Sequence, residues 1–414
     1  MRVLVFEQWG GGHYTDYLEY LVPKISELAS EVILAICSSF YDSEGFQRIR
    51  SSWFGCPNLR FDLDVPESDP ALPWQDRLKL LFNLREAIRR NKPDYVFVPS
   101  GDAQTIALGL AGPFSFGRLS LNTISECILH YGYGPGAMNL KSSAKRVIYN
   151  TAFTLSSWDK LNFVNCLLYE SLVKSDRRGR IGMVPSPIPP PLLLGRQEAR
   201  RLFGCPEDGR MIGFIGNMDH RKAIPELLQG FRRARLGMSD RLVLAGPLAP
   251  EFAALIEREY SSVRQQERLI VIDRWLTERE LLVGYSACDV VCLPYYNFPN
   301  LSSLMLRAIA AQRHVLVHDF GWMRAIARRF DAASVCDIYD ASSFGAAIEG
   351  VLERAPQYRF TSAMQALVDY HSPRNFVEHS VVTLRNLLGR PAIQPLTSWA
   401  SVMNLLEPER RTLY

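Results

Sequence analysis

The eight cysteines in this 414-residue sequence form no CxxC pair and keep no metal-ligand spacing, which argues against a zinc site or a dithiol redox centre. Cys37, Cys288 and Cys292 sit in apolar runs, where cysteine acts as a small buried hydrophobe, so a reduced cytoplasmic setting is expected. No run reaches the roughly 18 uncharged apolar residues of a membrane helix. Met1–Glu7 acquires charge too early for a signal peptide, so membrane contact, if any, is expected to be peripheral. Charge of one sign is also scarce. With 47 Lys and Arg against 43 Asp and Glu, the net charge is +4, compatible with anionic substrates or a membrane surface but too small to argue for nucleic acid. The dinucleotide GxGxxG spacing is missing, and no acidic pair stands out as a metal seat. What is present, 47% hydrophobic and 22% charged residues, is the composition of a globular protein, and the length calls for two domains.

Short apolar strands alternate with helical patterns along the chain. Val3–Phe6 runs into Gly10-Gly11-Gly12-His13, after which Tyr14, Tyr17, Leu18 and Leu21 recur at helical spacing. Such a turn lets backbone approach a ligand with no Cβ in the way, although many βα connections use one. Val32–Cys37, Leu59–Leu63 and Pro93–Pro99 read as further strands, the last ending in Ser100-Gly101-Asp102. Leu78–Arg90 reads as an amphipathic helix whose terminal arginines serve its dipole, or alternatively a lipid face. His130 opens a Gly/Tyr loop after Ser120–Leu129, suited to a sugar-binding rim or to plain aromatic packing. Leu161–Asn165 is expected to be the last strand of the first half. Ile181–Pro191 then breaks every period, and its prolines make a semi-rigid connector.

The second half repeats the rhythm with Met211–Ile215, Leu242–Leu244, Leu269–Ile272, Val290–Leu293 and Val315–Val317 as strands. The fold class that follows is α/β, with two Rossmann-like doubly wound domains. The expected bounds are 1–184, a hinge at 185–191, and 192–395. The end segment 396–414 could pack back on the first half, which the sequence does not require. Ligands of such sheets bind outside the strand C-termini, where Gly11, His13 and Asp102 fall. The same holds for Gly213–Lys222, where a strand ends in Gly216 and Arg221 and Lys222 sit at the opening of a helix. Helix N-terminal N–H groups reinforced by two cations suit a diphosphate. An ordinary turn with solvated cations is the plainer alternative.

This layout resembles the GT-B glycosyltransferases, and within them the retaining group 1 (family 4) enzymes. The likeness is specific from about Met183 to Asp319, through Val184-Pro-Ser-Pro-Ile188, Gly216 with Arg221-Lys222, Leu242–Pro247, Glu280–Tyr295, Leu306–Gln312 and His314–Asp319. It implies two domains facing across a cleft. It also implies transfer of a sugar from a nucleotide-diphosphate donor to an acceptor hydroxyl of a glycan, lipid or small molecule, as in polysaccharide biosynthesis. No cofactor and no metal are expected. By the same likeness Lys222 matches the donor-diphosphate lysine, with Gly11, Gly12 and Gly216 as close-approach glycines. His130, with His13 as runner-up, matches the histidine facing the sugar.

Two departures stand out. Asn217 occupies the place of the usual arginine, so Arg221 is expected to supply that charge. Pro299 and Arg307 replace two glutamates that act near the donor sugar and ribose. Ser302 and Ser303 remain to offer hydroxyls and N–H groups to the diphosphate, and Asp102, Arg274, Tyr295 and Arg307 are the expected nucleoside or sugar contacts. Arg307 is expected to pair with Asp319 or to serve the donor phosphate, unless it is simply a surface arginine. The missing carboxylates also support a rival reading: a GT-B fold without turnover that binds a nucleotide sugar or glycan. A third reading, transfer to phosphate as in a phosphorylase, lacks the lysine context for its cofactor.

Overall fold

The computed structural model describes residues 1–9, 13–53, 55–67, 77–101, 104–105, 119–125, 151, 155, 158–174, 176–390 and 396–411. They divide into two compact units, Met1–Pro187 with Ser372–Leu396, and Ile188–His371 with Thr397–Tyr414. The first is built on strands β1 (Arg2–Phe6), β2 (Glu31–Ala35), β3 (Leu59–Asp62), β4 (Tyr95–Val98), β5 (Ser120–Ser125), β6 (Lys160–Phe163) and β7 (Ile181–Met183). The second holds β8 (Met211–Ile215), β9 (Arg241–Ala245), β10 (Leu269–Ile272), β11 (Val290–Leu293), β12 (His314–His318) and β13 (Ala333–Cys336).

The two sheets share one topology. Their orders are β3-β2-β1-β4-β5-β6-β7 and β10-β9-β8-β11-β12-β13, and every pairing between strands is parallel. Parallel strands covered on both faces read as unbroken apolar runs, which is why β1, β4, β8 and β9 were legible. In the first unit Val3, Val5, Tyr95 and Phe97 enter one core while Leu4, Phe6, Val96 and Val98 enter the core on the opposite face. In each sheet the first strand lies between the second and the fourth. The chain therefore leaves it in opposite directions, and the strand C-termini splay into a crevice at β1/β4 and at β8/β11.

Three expectations change. Ile181–Met183, expected to be connector, is the edge strand β7, so Lys160–Phe163 is not the last strand of its sheet. The segment that joins the first unit late in the chain is 372–396, not 396–414. Its helix Pro373–Ser380 packs Phe376 against Tyr17 (ring centroids 4.8 Å apart) and sets Glu378 beside Arg385 at 3.0 Å and Lys24 at 3.3 Å. The helix Trp399–Asn404 packs instead in the second unit, with Trp399 against Phe330 and Tyr370.

Below β8, at the end away from the crevice, Asp289 ties the second unit together. Its Oδ2 accepts from Met211 N and from Arg200 Nη2, each at 2.7 Å, and Arg196 pairs with Oδ1. Arg200 and Asp289 are both buried. Removing one partner of a buried pair strands the other charge. Asp289→Ala should therefore lower the urea-unfolding free energy by about 3–5 kcal/mol, well beyond the effect of Arg196→Ala, whose side chain is half exposed.

Candidate functional site

The β8/β11 crevice is assembled on glycines. Gly216, directly after β8, has φ +143°, and a Cβ there would lie 2.8 Å from Leu304 Cδ1. Gly246, directly after β9, has φ +130°, and a Cβ there would strike the Gly216 carbonyl. Glycine is required at both positions for the turns after β8 and β9 and the helix Ser303–Ala310 to close on one point. Gly216 N donates to Ala245 O at 2.8 Å, which fixes the turn.

From there the chain makes a capped turn. The Asp219 carboxylate accepts from Arg221 N at 3.0 Å and opens the 3₁₀ segment His220–Lys222. Ala223, at φ +43°, turns the chain into the helix Ile224–Arg233, whose Ile224, Leu227, Leu228 and Phe231 are buried. Arg221 does not stand free. Its guanidinium forks onto Asp219, with Nε 3.1 Å from Oδ1 and Nη2 2.6 Å from Oδ2, while most of the side chain faces solvent. That pairing holds the Asp219 carboxyl below its ordinary range, against the opposing effect of burial. The free second cation expected at this rim is thus largely neutralised by its neighbour.

Lys222 behaves differently. It is 9% exposed, and its Nζ lies 3.6 Å from the centroid of the Tyr295 ring and 5.8 Å from that of Phe298. Among the described residues no carboxylate pairs with it. Burial pushes its ammonium down to about 8, partly opposed by Asp219 and reinforced by Arg221. The rings come from the loop after β11, which Tyr296 N joins to Arg221 O at 2.9 Å. The far side of this loop rests on Gly321 (φ +60°), where a Cβ would lie 2.7 Å from Phe298 O, and Trp322 N donates to Pro299 O at 3.2 Å.

The remaining expected residues divide. Ser302 is buried and caps its own helix by accepting from Met305 N at 3.4 Å, so its hydroxyl is already engaged. Ser303 is half-buried at the first position of that helix. Tyr295, expected to touch nucleoside or sugar, is 2% exposed and lends its face to Lys222 instead. Arg307 reaches Glu278 at 3.8 Å and not Asp319, which pairs with Arg328 at 3.0 Å. Arg274 is exposed at the β10 rim and bonded to Glu280 at 2.6 Å. Gly11, Gly12, Asp102 and His130 lie outside the described residues, as does the side chain of His13, which opens the helix His13–Leu28.

A second polar locus, which no motif in the sequence marks, lies at the β1/β4 crevice. Glu7 is fully buried; both its oxygens accept from Ser100 Oγ at 2.6 Å, and Oε1 also accepts from Trp9 N at 2.8 Å. The side-chain amides of Gln8 and Gln104 are buried with no hydrogen-bond partner among the described residues. The only signal in the sequence was an acidic residue directly after an apolar strand.

Among the described residues no three His, Cys, Asp or Glu side chains gather as metal ligands. The sequence does contain Asp62-Leu63-Asp64, but Asp62 is engaged by Arg90 at 3.0 Å and by Asn91. No helix among these residues is long and apolar enough to cross a membrane.

The family model described as glycosyl transferases group 1 matches residues 209–354, the segment that carries the β8/β11 crevice. Over that segment the second unit is similar to the group 1 glycosyl transferases. A curated relative, D-inositol 3-phosphate glycosyltransferase of Mycolicibacterium smegmatis, is 28% identical over 166 residues, 39% of this chain. The match spans 37% of that relative's own length. Over the whole chain the fold is that of the GT-B glycosyltransferases. HepE of Anabaena, solved in complex with UDP, superposes with a TM-score of 0.64 at 12% identity, covering 93% of this chain and 100% of that one. A glycosyltransferase from Rickettsia africae gives 0.66 at 12% identity, with 94% and 99% covered.

A lysine whose folded value is depressed costs stability while it is charged, and the cost fades as pH rises from about 8 towards its ordinary 10.5. Lys222→Met keeps the length of the stem and removes the buried charge. At about pH 7 it should stabilise the free protein by about 1–3 kcal/mol, and the gain should shrink in melts run at about pH 10.

Proposed function

We propose that this protein is a glycosyltransferase that moves a sugar from a nucleoside-diphosphate donor to an acceptor hydroxyl. The observation that carries the reading is the buried Lys222 ammonium, paired with no carboxylate among the described residues and set at the β8/β11 crevice against the Tyr295 ring. Negative charge grows on the departing diphosphate as the sugar–oxygen bond breaks. A fixed cation and helix N–H groups aimed at it lower that barrier with no reorganisation when the bond goes. The HepE structures hold UDP and UDP-glucose, so uridine nucleotides are the first donors to test here. Metal independence belongs to the proposal, with Lys222 and the helix N-terminus carrying the positive charge. So does retention at the anomeric carbon, which rests on the family likeness.

The second reading, a nucleotide-sugar or glycan binder without turnover, draws on Arg221 being held by Asp219 and Arg307 being drawn to Glu278. Each of these cations already faces a carboxylate. One assay separates the two. The protein is melted against a panel of nucleoside diphosphates and their sugars, and nucleotide release is followed with the best binder over a wide acceptor set. The expected outcome is stabilisation by one donor and release that depends on an acceptor. Stabilisation without release favours the binder, and no shift with any nucleotide contradicts both. Lys222→Ala should abolish the shift.

A further inference from the structure

Asp219 and Arg221 are the charged neighbours of Lys222 on its own turn, and their charges cancel in a two-bond fork. The elements packed against Lys222 from β11 onward present Tyr295, Phe298 and, behind Tyr295, the Ser302 hydroxyl. One positive charge is therefore left over in a buried place. A carboxylate partner would hold the ammonium well but would compete with an arriving phosphate and repel it. A ring face holds a cation through its quadrupole and offers no hydrogen-bond acceptor in the ring plane's normal direction beyond that weak attraction. The ammonium protons that point away from the ring thus remain available to a stronger acceptor.

The ring is itself fixed. Tyr295 OH lies 3.5 Å from Ser302 Oγ, the cap of helix Ser303–Ala310, and its edge meets Phe298 with centroids 5.4 Å apart. Tyr295 N donates to Leu293 O at 3.0 Å, which anchors the residue at the end of β11. One buried tyrosine thus touches both the lysine and the capping serine of the helix.

We infer that Tyr295 is a positioning residue for diphosphate recognition, its ring holding the Lys222 ammonium uncompensated and in register with the N-terminus of helix Ser303–Ala310. The inference rests on the nucleoside-diphosphate reading above. It adds that affinity for the diphosphate is set by a residue that the ligand does not touch.

The test measures UDP affinity by calorimetry for wild type, Lys222→Ala, Tyr295→Phe and Tyr295→Leu between about pH 6.5 and 9.5. Wild-type affinity should fall as pH rises through about 8, where the ammonium loses its proton. Tyr295→Phe keeps the face and should bind within about threefold of wild type. Tyr295→Leu keeps the burial but loses the face. It should bind about tenfold more weakly, the scale of one cation–π contact, with its pH midpoint moved below that of wild type. Lys222→Ala should bind weakly with no such midpoint. If Tyr295→Leu matches wild type in affinity and midpoint, the inference is overturned while the diphosphate reading stands. If wild type binds neither UDP nor any other nucleoside diphosphate, both are overturned. Should Tyr295→Leu fail to fold, Phe298→Leu carries the same test, with a smaller loss expected from its longer distance.

Discussion

A single ammonium, buried on an aromatic face and paired with no carboxylate among the described residues, governs the candidate site. Lys222 is reached by a glycine turn that tolerates no side chain, and the ring beneath it belongs to the loop after β11. Each neighbouring charge is already answered: Arg221 by Asp219, Arg274 by Glu280, Arg307 in part by Glu278. Lys222 stands apart from these pairs. Burial of an unpaired charge opposes folding, so its presence at a crevice points to binding rather than to stability. The stabilising pair of this unit, Arg200 with Asp289, sits at the other end of β8.

The topology explains why the site is where it is. Both sheets run outwards from their first strand in two directions, which opens one crevice per sheet at the strand C-termini. In the second unit that crevice gathers Gly216, Lys222, Tyr295 and the start of helix Ser303–Ala310. In the first it gathers Glu7, Ser100, Gln8 and Gln104, a set of buried polar groups whose two amides find no partner among the described residues. Stability alone does not call for polar groups at such depth.

Much of the fold could be read from the sequence because parallel, doubly covered strands leave unbroken apolar runs such as Val3–Phe6 and Met211–Ile215. The elements missed were those without such a run. Ile181–Met183 is three residues long, contains a glycine and leads into prolines, while Ala333–Cys336 is half-buried with a serine inside it. The late helix on the first unit escaped notice because its apolar residues gain meaning only from Tyr17, far back in the chain. In the site, the position of Lys222 was legible as a cation at a helix start, but its burial was not. That depends on Tyr295 arriving from another strand. The pairing of Arg221 was not legible for the complementary reason: Asp219, two residues earlier, was in plain view, yet the fork that joins them needs the turn's geometry.

The titration of Lys222 itself bears most directly on this account. With lysine Cε labelled and the signal assigned through Lys222→Arg, its chemical shift can be followed against pH in the free protein and with a saturating nucleoside diphosphate. The account predicts a midpoint near 8 in the free protein, moving upward once a bound phosphate favours the charged form. A midpoint at the ordinary 10.5, unmoved by the nucleotide, would contradict it.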